Sequence, residues 1–108
     1  MKFTVNKKDI AEAVSNIQRA VSTKTSIPAL EGILLTAQDA TLELCAYDME
    51  LGITTVIPAQ VSEPGKSVLS AKIFSDIVRR SPAETLTIAV DEKNMATLES
   101  GYSRFSII

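Results

Sequence analysis

The sequence runs twice through one order of elements, and this duplication constrains the fold more than any other feature. In the first pass, Lys2 to Val5 alternates polar and apolar residues as a short strand. Asn6 stands where a helix N-cap belongs, with Asp9 three residues on as the partner of a capping-box-like start. Ile10, Val14, Ile17 and Val21 then fall at i, i+4, i+7 and i+11, a single apolar stripe along a helix. Ser22 to Pro28 is small, polar and proline-terminated, and ends that helix. Segments of β type follow at Ile33 to Ala37, Thr41 to Tyr47 and Gly52 to Val61. Ser62-Glu63-Pro64-Gly65 reads as a turn, with Pro presetting its φ and Gly accepting a positive one. The order then restarts: a strand over Lys66 to Leu69, Ser70 as N-cap, a helix from Ala71 to Arg80 stopped by Pro82, and strands over Thr85 to Val90, Met95 to Leu98 and Tyr102 to Ile108.

A shift of 64 positions lays Lys2 on Lys66, Val5 on Leu69, Asn6 on Ser70, and Lys8, Ile10, Glu12 and Val14 on Lys72, Phe74, Asp76 and Val78. Few identities accompany the match, so the repeat is one of architecture. It predicts a pseudo-two-fold α+β domain of internally duplicated β-α-β-β-β units, with two helices side by side on one face of the strands. At 108 residues the chain is one domain, long enough to bury a core without covalent staples.

The chemistry available is narrow. No His and a single Cys leave no zinc site, no Ser-His-Asp triad and no disulfide framework. Cys45 lies mid-strand without an activating base and reads as inert. Asp48 and Glu50 are too few oxygen ligands for magnesium or calcium and fit a hairpin turn, while the four scattered glycines build no phosphate loop. Met49 and Met95 read as turn and core packing. The expectation is a protein with no catalytic residue, no metal and no cofactor. The start lacks a signal-peptide core and Ile33-Leu34-Leu35 is far too short to span a bilayer, which points away from membranes and to the cytoplasm.

Charge is unevenly placed. Lys7 to Lys24 carries a net +2, Ser70 to Pro82 another +2, and the rest −6, which together give the chain's −2. On the second helix Lys72, Ser75, Asp76 and Arg79 are expected on the face opposite Ile73, Phe74 and Ile77; on the first, Lys8, Glu12, Ser15 and Arg19 face away from the apolar stripe. Two such faces are either ordinary solvated surfaces or a surface that tracks a phosphate backbone without reading bases. With no Trp, and with Phe3, Phe74 and Phe105 at core-like positions, duplex backbone contact fits better than stacking on single strands.

Six segments resemble a known family: Met1-Lys2-Phe3-Thr4-Val5, Ile27-Pro28-Ala29-Leu30, Asp48-Met49-Glu50, Glu63-Pro64-Gly65, Ala71-Lys72-Ile73-Phe74-Ser75-Asp76-Ile77 and Ser100-Gly101-Tyr102-Ser103-Arg104-Phe105-Ser106. In order and spacing they are similar to the first domain of the bacterial sliding clamp, the beta subunit of DNA polymerase III. The resemblance implies a DNA-clamp domain, a DNA replication processivity factor in which three such domains per chain and two chains joined head to tail encircle duplex DNA, helices inward and sheets outward. It implies that Lys24, Lys72 and Arg79 match basic positions near the DNA, to which the charge count adds Lys8, Arg19 and Arg80. Glu12 stands where some relatives carry a base, and Ile73 where some carry a charge. The last strand and second helix are implied to join another subunit, through Ile77, Arg104, Phe105 and Ile107. Polymerase and clamp loader are implied to bind later domains missing here, so the chain is expected to be an isolated or truncated domain. A stand-alone α+β protein-interaction domain without a DNA role is the alternative, and an enzyme a weak third.

Overall fold

The computed structural model describes residues 1–21, 32–47 and 52–107, with only the backbone described for residues 18–21 and 47. The element order is β1 (Lys2–Asn6), α1 (Lys7–Val21), β2 (Gly32–Gln38), β3 (Thr41–Tyr47), β4 (Gly52–Pro58), β5 (Gln60–Glu63), β6 (Gly65–Ser70), α2 (Ala71–Arg80), β7 (Thr85–Val90), β8 (Ala96–Ser100) and β9 (Ser103–Ile107). Among the described residues it is an α+β fold of two helices and two antiparallel sheets.

The sheets interlock the two halves. One has the order β5-β1-β7-β8-β9 and the other β4-β3-β2-β6. The first strand of each half leaves its own half: β1 pairs with β7, Phe3 opposite Ile88, and β6 pairs with β2, Val68 opposite Leu34. Each sheet is therefore the opening strand of one half plus the three-strand meander of the other, and β5 adds a further strand beside β1.

Alternation drives this arrangement. Phe3 and Val5, Ile33 and Leu35, Leu42 and Leu44, Leu86 and Ile88, and Leu98 all point inward and are buried. Ile10, Ala13, Val14 and Ile17 of α1 and Phe74, Ile77 and Val78 of α2 close the same core. The helix starts match the sequence: Asn6 Oδ1 accepts from the Lys8 N–H at 2.9 Å, and Ser70 Oγ from the Ile73 N–H at 3.4 Å. α2 has the expected bounds and is capped by Ser81 ahead of Pro82.

Several expectations are corrected. The segment expected as one strand from Gly52 to Val61 divides at Pro58: β4 pairs with β3, Ala59 donates to Ala40 O at 3.0 Å, and β5 then joins the other sheet. Pro58 lacks the N–H that would extend a ladder, and it ends an edge strand. Glu63-Pro64-Gly65 is not a reversing turn. Pro64 alone links β5 in one sheet to β6 in the other, and Gly65 is a strand residue without a positive φ. A Cβ on Gly65 would sit 3.1 Å from the Met1 Cβ, so the glycine serves close approach of the N-terminal residue. Met95 lies outside β8 and is 40% exposed, because the Asp91 carboxylate accepts from the N–H groups of Lys93 (2.8 Å) and Met95 (2.9 Å) and holds them in the turn. β9 begins at Ser103, since Gly101 (φ 60°) and Tyr102 form the preceding turn.

On α2 the faces differ from the expected ones. Ser75 is buried, its hydroxyl donating to the Ala71 carbonyl at 2.6 Å, while Ile73 is 47% exposed. The apolar stripe is centred on Phe74 and Val78, which leaves Ile73 beyond its margin. Phe74→Ala is expected to cost about 3–5 kcal/mol, and Ile73→Ser less than about 1 kcal/mol, in denaturant unfolding.

Candidate functional site

α1 and α2 lie side by side, α1 over β1, β3 and β4 and α2 over β6. Their outward faces form the basic surface. On α1, Lys8, Glu12 and Ser15 are exposed, and Arg19 continues the same helical row, its side chain outside the description. On α2, Lys72, Arg79 and Arg80 are exposed and Asp76 is half-buried among them. Arg79 Nη2 donates to Asp76 Oδ1, one turn back, so these two charges largely cancel as seen from outside. Lys8, Lys72 and Arg80 have no ion-pair partner among the described residues. Lys24, Asp48 and Glu50 lie outside the described residues.

Lys7, counted with this surplus, is placed elsewhere. Its ammonium donates to the Ser81 carbonyl and its backbone N–H to Glu84 O at 2.8 Å, so its charge sits at the end of α2. Position in the helical cycle is the only sequence signal for this: Lys7 falls about 100° from Lys8, toward the side of the helix on which Ala11 lies.

The second candidate surface is the edge of β9, unpaired among the described residues. Arg104 is exposed and lies 3.8 Å from the carboxylate of Glu99, its cross-strand neighbour, a solvated pair of little energetic weight. Phe105 is half-buried against the core. Ile77 and Ile107, expected at the subunit contact, are each 8% exposed, and both belong to the core of this domain. On α2 Ile77 falls beside the Phe74–Val78 stripe, and on β9 strand alternation sends Ile107 inward with Phe105, so both support the surface from beneath. Tyr102, not singled out from the sequence, is fully exposed at the tip of the β8–β9 turn. Among the described residues no cluster of three His, Cys, Asp or Glu side chains could hold a metal, and no helix is long and apolar enough to cross a membrane. Cys45 is buried, with its Sγ 3.5 Å from Thr54 Oγ1.

Comparison with known proteins adds a decisive observation. The sequence model of the family described as DNA polymerase III beta subunit, N-terminal domain, matches residues 1–108. The chain belongs to this family. The beta sliding clamp of Bacillus subtilis is 33% identical over 115 aligned residues, and that of Synechocystis is 35% identical over 116, each alignment covering 99% of this chain. Among solved structures, the DNA polymerase sliding clamp of Bacillus subtilis superposes with a TM-score of 0.89 at 33% identity over 98% of this chain. The beta subunit of Streptococcus pyogenes superposes with a TM-score of 0.89 at 26% identity over 99%. The chain spans only about 30% of the length of these relatives. For this member of the beta-subunit family, Ile107→Ala is expected to destabilise by about 2–5 kcal/mol and Arg104→Ala by less than about 0.5 kcal/mol in thermal or chemical unfolding.

Proposed function

We propose that this domain is one arc of a ring-shaped sliding clamp, a non-catalytic DNA replication factor that encircles duplex DNA and keeps the replicative polymerase on it. The observation that carries the reading is the match of the whole chain to the N-terminal domain of the beta subunit, at about 30% of its relatives' length. The surface chemistry supports it. Lys8, Lys72 and Arg80 are solvated cations on two adjacent helices, and their field is tempered by Asp76, which pairs with Arg79, and by Glu12 on α1. Such a face attracts phosphates weakly and without reading bases, which suits a ring that is retained by topology and must slide. On the family resemblance and the charge count, Lys24 and Arg19 are assigned to the same DNA-facing set. The acidic sheets and turns face outward and do not meet the DNA.

In this reading the working assembly is cytoplasmic. A second clamp subunit docks head to tail against the β9 edge, where Arg104 and Phe105 form the accessible contacts and Ile77 and Ile107 pack behind them. Polymerase and clamp loader engage domains beyond this one. An unpaired strand edge with an apolar residue beneath it is a natural site for such pairing.

The first test is the native reading frame: it is expected to continue past Ile108 into two similar domains, and a stop codon there would sink the ring and leave a stand-alone interaction domain. The second is charge reversal of Lys24, Lys72 and Arg79 in the native protein, measured by loading onto circular duplex DNA and by processive synthesis. Both should fall, most strongly as salt is raised. Unchanged loading and synthesis at low salt would refute the channel role of these cations.

A further inference from the structure

We infer that Lys7 is a positioning residue that anchors the C-terminal end of α2, with the cations it carries, to the start of α1, and is not itself a phosphate contact. The second part rests on the DNA-tracking reading above.

Lys7 is the first residue of α1 and half-buried, off the outward row of Lys8, Glu12 and Ser15. Both of its donors go to the segment that leaves α2: the backbone N–H to Glu84 O at 2.8 Å and the ammonium to Ser81 O. Ser81 is the C-cap of α2. It is buried, its N–H donates to Val78 O at 3.3 Å and its hydroxyl to Ile77 O at 2.8 Å. Ser81 leaves the helix with extended backbone, so its carbonyl has no acceptor role within the helix and takes the ammonium instead, whose charge lies beside the negative end of α2.

From the opposite side, Ser100 Oγ accepts from the Ala83 N–H at 3.0 Å and donates to Thr85 O at 3.1 Å. The segment from Ser81 to Thr85 is thus fastened between the start of α1 and the end of β8. Arg79 and Arg80 immediately precede it, so their placement depends on this joint.

The repeat supplies an internal comparison. The residue equivalent to Lys7 in the second half is Ala71, also the first residue of its helix, and it has no side-chain donor. The anchor is therefore not a feature that the duplicated architecture requires. An ammonium that is half-buried and already donates to a carbonyl is also a poor phosphate tracker, since a sliding contact needs a solvated cation free to exchange partners.

The test uses the native protein with Lys7→Met, which keeps the apolar stem and removes charge and donor, Lys7→Arg, which restores both, and Lys72→Met as a comparator. Amide hydrogen exchange at Ser81 and Ala83 should quicken by about tenfold in Lys7→Met and return toward the parent rate in Lys7→Arg. The log–log salt dependence of duplex DNA binding should keep its slope in Lys7→Met and lose about one unit in Lys72→Met. Unchanged exchange in Lys7→Met, or a salt slope lowered by about one, would overturn the inference. If Lys7→Met does not fold, Lys7→Gln, a shorter neutral donor, is expected to show an intermediate rise in exchange, and parent-like exchange in it counts against the anchor. No DNA binding by the parent would remove the DNA reading, while the exchange rates would still decide whether Lys7 anchors α2.

Discussion

The exchange of opening strands between the two halves is the constraint on which the rest of the domain depends. Because β1 lies against β7 and β6 against β2, neither half completes a sheet alone, and the core closes only when Phe3 and Val5 meet Leu86 and Ile88 while Leu69 meets Ile33 and Leu35. The β1–β7 pairing joins residues 79 to 87 positions apart, from Asn6 opposite Thr85 to Lys2 opposite Ala89. Loop closure at that separation must be offset by burial, so the domain holds together as one cooperative unit. The same exchange brings the two helices, each following an exchanged strand, next to each other.

That adjacency turns two modest charge surpluses into one surface. Each helix alone would be an ordinary solvated amphipathic helix. Side by side, with Lys8 on one and Lys72 and Arg80 on the other, they give an acidic domain a basic side, while most of the acids lie outside the two helices. Ser75, Ser81 and Ser100 are buried, and each hydroxyl has a backbone partner, so the polar atoms that burial would otherwise penalise are satisfied. Ser67 Oγ is the exception among the described residues, buried without a partner.

Equivalent rows of the two sheets show how far the repeat is architectural. Across one outer face run Val68, Leu34, Cys45 and Thr54; the equivalent row on the other is Thr4, Thr87, Glu99 and Arg104. Backbone pairing is preserved while side-chain character is not, because outward positions of a strand are free of the packing that fixes the inward ones. The threonines bond each other at 2.9 Å, which suits a solvated face. Local signals were legible for the same reason that inward positions are restricted: alternation in β1, the caps Asn6 and Ser70, and the bounds of α2 all follow from short-range chemistry. The strand expected to run through Pro58 is broken there, and the reversal expected at Pro64 is a crossing between sheets, because proline interrupts a ladder without saying whether the chain reverses or crosses.

The candidate site divides along the same line. From the sequence alone came the two-pass order of elements, the separation of basic helices from acidic strands, the exclusion of His and disulfide chemistry, and the six segments that resemble the family. Periodicity and composition are properties of neighbours along the chain, and they suffice for these. Only the tertiary structure decided that the halves exchange strands, that β5 crosses to the sheet of β1, and that the charge of Lys7 is directed to Ser81. Each of these depends on which surface a second element, distant in sequence, happens to cover or which carbonyl it presents, and no pattern within a single helix or strand carries that information.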